Sequence, residues 1–165
     1  MPELPYHLAL PMPPTVTEYY QNARRVVAAG PKAGKSYTGK MISPVGHAFR
    51  ERVVVESRAG RGGPPNLTGP LSIIGLACKP LYTKAGARTT LRKGDLDNLW
   101  KCVLDALTNA KVIGDDVQFD DVRMIRGYPV SGGALYLSID RFNPDRALGD
   151  AARAGLPCGR RSTWP

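Results

Sequence analysis

Residues 94–107 read GDLDNLWKCVLDAL, and residues 112–122 follow with VIGDDVQFDDV. In the first run Leu96, Leu99, Trp100, Val103, Leu104 and Leu107 recur at i, i+3 and i+4, one face of a helix expected from about residue 95 to Asn109. Asp97, Lys101 and Asp105 fall at i, i+4 and i+8 beside that face and look out together. Asp95 stands at or just before the helix start, where a carboxylate caps free N–H groups and suits the dipole. In the second run Val112 and Ile113 read as the chain re-entering a sheet, with Asp115 and Asp116 in the turn before the next strand. The apolar face therefore needs a sheet to pack on, and the outward face is charged.

The chain of 165 residues carries 23 Lys+Arg against 14 Asp+Glu, a formal +9. Residues 95–121 hold seven of the 14 acids (Asp95, Asp97, Asp105, Asp115, Asp116, Asp120, Asp121) and only two bases, Lys101 and Lys111. The other 138 residues carry 21 basic and seven acidic side chains. An acidic island sits in a basic field, and a field of that sign favours polyanionic partners. Cys78, Cys102 and Cys158 have neither disulfide-framework nor zinc-site spacing. The sequence has no apolar run of membrane length and no signal-like start, so a soluble, cytoplasmic protein without membrane association is expected.

Working outward, residues 5–10 (PYHLAL) read as a strand stopped by the prolines of PMPP. Residues 12–43 read as a basic loop or arm. In 43–59 (SPVGHAFRERVVVESRA), Ser43 and Pro44 take N-cap and first-turn positions ahead of Val45, Phe49, Val53 and Glu56, giving a second helix. Residues 70–80 (PLSIIGLACKP) read as a buried strand, and 81–94 as a basic loop carrying Lys84, Arg88, Arg92 and Lys93. Residues 121–128 and 134–140 read as two strands joined as a hairpin through PVSGG. The sum is one small α+β domain over residues 1–141, a mixed sheet packed with two main helices, followed by a flexible basic tail at 142–165.

Each acid alone has an ordinary structural reading: Asp95 as a cap, Asp97 paired with Lys101, Asp115 and Asp116 as a polar turn. Together they are harder to explain, because two carboxylates about 4 Å apart repel by roughly 4 kcal/mol at an effective dielectric of about 20. If the helix start and the IGDD turn meet, a hard divalent cation such as Mg²⁺ offsets that repulsion with oxygen ligands. In a basic protein the combination suggests metal-assisted phosphodiester cleavage, with Lys101 at the scissile phosphate and Lys and Arg on its neighbours. The alternatives are a noncatalytic branched-DNA-binding protein, or a metal-dependent nuclease preferring flaps or RNA.

The two runs resemble the signature of RusA-type Holliday junction resolvases, approximately D-x-D-N-x-x-K-x-x-x-D-A-L, a short spacer, then a D-D pair. Asp95, Asp97, Asn98, Lys101, Asp105, Ala106 and Leu107 match it, as do Asp115 and Asp116. The resemblance covers about residues 5–141. It implies a homodimeric, phage- or prophage-type endonuclease that binds four-way DNA junctions and nicks them with Mg²⁺ or Mn²⁺. Asp95, Asp97 and Asp116 would be the metal-binding catalytic acids, with Asp115 able to replace or support Asp116, and Lys101 the catalytic lysine. Asp105 would be structural or stand behind the ligands. Thr17 stands where the family often has Asn, the loop before Asp95 offers only Tyr82 as an aromatic, and the tail is extra.

GPKAGKS (30–36) has three residues between its glycines where a phosphate loop has four, so no nucleotide cofactor is expected, and Lys32, Lys35 and Lys40 become DNA contacts. His7 and His47 lack metal spacing. Tyr19, Tyr20 and Tyr37, interleaved with Arg24 and Arg25, form either a base-stacking surface or part of the core.

Overall fold

The computed structural model describes residues 4–26, 30–59, 62–82, 85–89 and 96–154. Four strands form the main sheet: β1 (Tyr6–Leu10), β4 (Leu71–Cys78), β5 (Phe119–Arg126) and β6 (Ala134–Arg141), in the order β1-β6-β4-β5. Two further strands, β2 (Tyr20–Val26) and β3 (Ser36–Ile42), form a separate antiparallel pair. The helices are α1 (Val16–Tyr19, a single turn), α2 (Pro44–Arg58), α3 (Asp97–Asn109) and α4 (Pro144–Arg153).

Alternation along the strands sorts the core. Tyr6, Leu8 and Leu10 of β1 pair with Ile139, Leu137 and Leu135 of β6, which pair in turn with Ile73, Gly75 and Ala77 of β4. On this face all but Gly75 belong to one buried cluster with Phe49 and Val53 of α2 and Leu99, Cys102, Val103, Ala106 and Leu107 of α3. Gly75 leaves room for an aromatic: a Cβ there would lie 3.1 Å from the Trp100 ring, so the missing side chain lets Trp100 of α3 pack close on the sheet. The α2 stripe runs through Gly46, Phe49, Val53 and Ser57, whereas Val45 is exposed. Ser43 caps α2 as expected, its hydroxyl accepting from the Gly46 N–H at 3.0 Å.

Three expectations change. The two C-terminal strands do not form a hairpin: β4 lies between them, parallel to β5 and antiparallel to β6. The connection 127–133 instead runs across the end of β4, with Gly127 N donating to Ala77 O and Val130 N to Lys79 O. Joining β4 to a parallel β5 needs a crossover, and α3 supplies it. The basic arm is not a loop throughout, since 20–26 and 36–42 pair over seven residues. Its alternation carries no hydrophobic signal because its residues are mostly exposed or half-buried and polar. The stretch read as a tail holds α4, which Asn143 caps by accepting from Arg146 N at 3.1 Å and which Pro144 opens. Arg123 of β5 ties this helix down, bonding Asp150 at 2.9 Å and Asp121 at 2.8 Å. Residues 155–165 and Cys158 lie outside the described residues. No helix among the described residues is long and apolar enough to cross a membrane.

Candidate active site

The site is assembled where α3 meets the turn that leads into β5. After α3 the chain turns at Lys111, whose φ is +59°, and Ile113 bridges to Leu67, both fully or nearly fully buried. That bridge anchors the next four residues against the outer side of α3. Asp115 caps a single 3-10 turn, Asp116–Gln118, its carboxylate accepting from Val117 N at 3.1 Å. Gln118 closes the turn from the other side: its Oε1 accepts from Gly114 N at 2.7 Å and Asp115 N at 3.0 Å, and its Nε2 donates to Leu67 O at 3.2 Å and Gly69 O at 3.3 Å.

This bonding separates the roles of the paired acids. Asp115 is engaged by the backbone, and the Val117 N–H, followed by its bond with Asp116, holds its carboxyl below the ordinary value. Asp116 moves the other way. The hydrogen bond with Asp115 raises it first, then burial and the charge of Asp115; Lys101 pulls it down and Asp105 pushes it up further. The turn Asp116–Gln118 contacts α3, and the charges of Lys101 and Asp105 on that helix act on Asp116.

Along α3 the pairing differs from expectation. Lys101 Nζ lies 3.5 Å from Asp105 Oδ1, one turn further on, and not against Asp97. The second oxygen of Asp105 accepts from the hydroxyl of Tyr20. Asp97 is exposed in the first turn and makes no ion pair among the described residues. Eight residues separate it from Asp105, a rise of about 12 Å along the helix, with Lys101 midway between them. Leu96 occupies the N-cap position without a side-chain bond, and Asp95 lies outside the described residues.

The acids offer only carboxylate oxygens, the donor set of a hard divalent cation. Asp115 and Asp116 stand together in the turn, and the charge of Asp105 also acts on Asp116, an acidic setting that fits such an ion. Among the described residues no group of three or more His, Cys, Asp or Glu stands close enough to hold a metal, so a complete ligand set needs a further donor.

The expected DNA contacts divide as well. Lys32, Lys35 and Lys40 are exposed on the β2–β3 hairpin, the first two in its turn, along with Arg24. Arg88 is exposed beside its bridge to Tyr82, whereas Lys84, Arg92 and Lys93 lie outside the described residues. Residues 30–35 form the hairpin turn, not a strand-to-helix phosphate loop. Tyr19 is fully buried, which makes it part of the core; its hydroxyl accepts from Arg50 Nε at 2.6 Å. His7 and His47 are both exposed. The link from Tyr20 to Asp105 joins residues 85 apart and had no signal in the sequence.

A profile of the family Endodeoxyribonuclease RusA matches residues 11–139. The chain is 30% identical over 141 residues to crossover junction endodeoxyribonuclease rusA of Enterobacteria phage HK97, a match covering 81% of this chain and 92% of that protein. It is 32% identical over 134 residues to the protein of the same name from Enterobacteria phage 82, and 30% identical over 134 residues to that of Escherichia coli strain K12, with the same coverage.

Proposed function

The chain belongs to the RusA family of endodeoxyribonucleases, and from that premise we propose that it is a Holliday junction resolvase, a crossover junction endodeoxyribonuclease that nicks four-way DNA junctions in recombination and repair. The observation that carries the reading is the contact of the Asp116–Gln118 turn with α3, which puts the carboxyl of Asp116 within the field of the exposed Lys101. Among the relatives two come from phages, which favours a phage or prophage origin.

Mg²⁺, with Mn²⁺ as its substitute, is the proposed cofactor; Asp97 and Asp116 are its proposed ligands, Asp95 is the proposed further donor that the described residues lack, and Asp115 stands in support. When bound, such an ion supplies an activated water and neutralises charge on the phosphate. Lys101 lies between the acids and is the group that meets the scissile phosphate, donating to the oxygens on which charge develops. Asp115 fixes the turn that presents Asp116. The hairpin lysines Lys32, Lys35 and Lys40, with Arg88, Lys84, Arg92 and Lys93, hold phosphates away from the cut, where they position the duplex without reading its sequence.

The proposed assembly is a homodimer, since two strands are cut in symmetry-related positions. A cross-strand row of Ile125, Leu76, Tyr136 and Ala9 supports it: these lie on the sheet face away from α2 and α3, and the first three are substantially exposed. The substrate reading is tested by offering labelled four-way junction, fork, flap, RNA and linear duplex in Mg²⁺. Preferential paired nicking of the four-way junction supports it. Equal cutting of linear duplex, or preference for a flap or RNA, contradicts it.

A further inference from the structure

The phenol of Tyr20 reaches a carboxylate that already has a second donor: its hydroxyl donates to Asp105 Oδ2, while Lys101 Nζ donates to Oδ1 of the same group at 3.5 Å. We propose that Tyr20 is a positioning residue for Lys101: by holding one oxygen of Asp105 it fixes the direction of the other, and with it the place of the ammonium beside Asp116. The inference rests on the reading of Lys101 as the group that meets the scissile phosphate.

An i,i+4 pair on a helix surface does not by itself hold a lysine in one place, because a long exposed side chain keeps many rotamers at little cost. Lys101 is such a case, with 60% of its side chain exposed, whereas Asp105 is 21% exposed. Restriction therefore has to come through Asp105. Its second donor belongs to a different element, 85 residues earlier, so turning the carboxylate would break the link between α3 and the α1–β2 junction.

Tyr20 is itself held. Its ring meets Tyr19 edge-on, with centroids 4.8 Å apart and planes at 76°. Tyr19 is fully buried, its hydroxyl bonded to Arg50 of α2, whose guanidinium also sits 5.6 Å from the ring centroid. The backbone beneath is fixed too: Ser43 Oγ donates to Glu18 O, Ser43 N donates to Tyr19 O at 2.8 Å, and a Cβ at Gly46 would lie 2.6 Å from that same oxygen. The result is a chain of direct contacts, Arg50 to Tyr19 to Tyr20 to Asp105 to Lys101, running from α2 to the outer face of α3. Burial, then the bond to Asp105, pushes the Tyr20 phenol above its ordinary value, so it remains a neutral donor at working pH. Tyr20 is also the first residue of β2, so the basic hairpin and the lysine share one anchor.

The experiment compares Tyr20→Phe, Asp105→Ala and the double variant. Single-turnover cleavage of a labelled four-way junction is measured at saturating Mg²⁺, junction affinity without metal, and melting temperature without metal. Tyr20→Phe keeps the ring and removes only the hydroxyl. The expected result is cleavage slowed about tenfold, the loss that ~1.4 kcal/mol of barrier produces, with junction affinity unchanged. Asp105→Ala slows cleavage at least as much, and the double variant is no slower than Asp105→Ala, because Tyr20 acts through Asp105. The melting shifts of the two single variants are likewise non-additive. Wild-type cleavage by Tyr20→Phe, including the case in which only its melting temperature falls, overturns the inference and leaves Tyr20 as a brace. Losses that multiply in the double variant overturn it too. If the wild type cuts no junction, the resolvase reading falls first, and this inference with it.

Discussion

Lys101 bonds Asp105, not Asp97. Had Lys101 paired with Asp97, the acid at the helix start would be neutralised and Asp105 would be left without it. Pairing toward the C-terminus leaves Asp97 exposed and sets the ammonium within the field of Asp116.

Removing the ammonium should therefore cost chemistry more than binding. Lys101→Ala is expected to lower the cleavage rate by about 10²–10³, the range seen when one donor to developing charge is removed, with little change in junction affinity. Rates from single-turnover reactions and affinities from metal-free titrations separate the two. A surface ion pair with no role at the phosphate would leave both unchanged.

The paired acids should separate under conservative substitution. Asp115→Asn keeps an oxygen to accept the Val117 N–H, so the turn survives and cleavage is retained in large part. Asp116→Asn removes the charge offered to the cation, and both cleavage and Mg²⁺ binding, measured by calorimetry, are expected to be lost. Equal losses in the two variants would contradict the division of roles.

The hairpin should contribute electrostatically. Replacing Lys32, Lys35 and Lys40 with alanine is expected to weaken junction binding and to lower the salt slope of the association constant by about 0.9 for each phosphate no longer neutralised. Affinities over a KCl series provide the slope. An unchanged slope would remove the hairpin from the interface.

A pH dependence is expected at α4. Arg153 first, then Arg123, holds the carboxyl of Asp150 below its ordinary value, so the folded state favours the ionised form. The sign follows: the contribution is present above the unfolded value of about 3.9 and is lost as pH falls through the lower folded value. Amide protection in 144–153, measured against the intrinsic rate at each pH, should fall selectively on acidification below pH ~4, and Asp150→Asn should show the same loss of protection at neutral pH. Exchange that is insensitive to the substitution would detach α4 from Arg123.

Much of the fold was readable because it rests on periodicity. The leucines of 96–107 located α3, Ser43 and Pro44 located the start of α2, and SIIGLAC gave β4. The order of the sheet was not readable. Strand adjacency is decided by which edges remain free, and a glycine-rich link between two strands looks the same whether it makes a hairpin or crosses the end of a third strand. The β2–β3 pair was hidden because mostly polar strands lying outside the core carry little alternation in hydrophobicity. At the site, the residue types and their spacing along α3 were legible. Their partners were not, since Tyr20 to Asp105 and Gln118 to Leu67 are bonds between distant segments.

The central claim is that the acids bind a cation that cuts DNA, and cleavage of a four-way junction across a Mg²⁺ titration by the wild type and Asp97→Asn tests it most directly. The account predicts Mg²⁺-dependent paired nicks by the wild type, and a variant that binds the junction but does not cut it at any Mg²⁺ concentration near saturation for the wild type. Cleavage by Asp97→Asn equal to that of the wild type, or no cleavage by either with binding intact, would contradict it and favour a noncatalytic junction-binding protein.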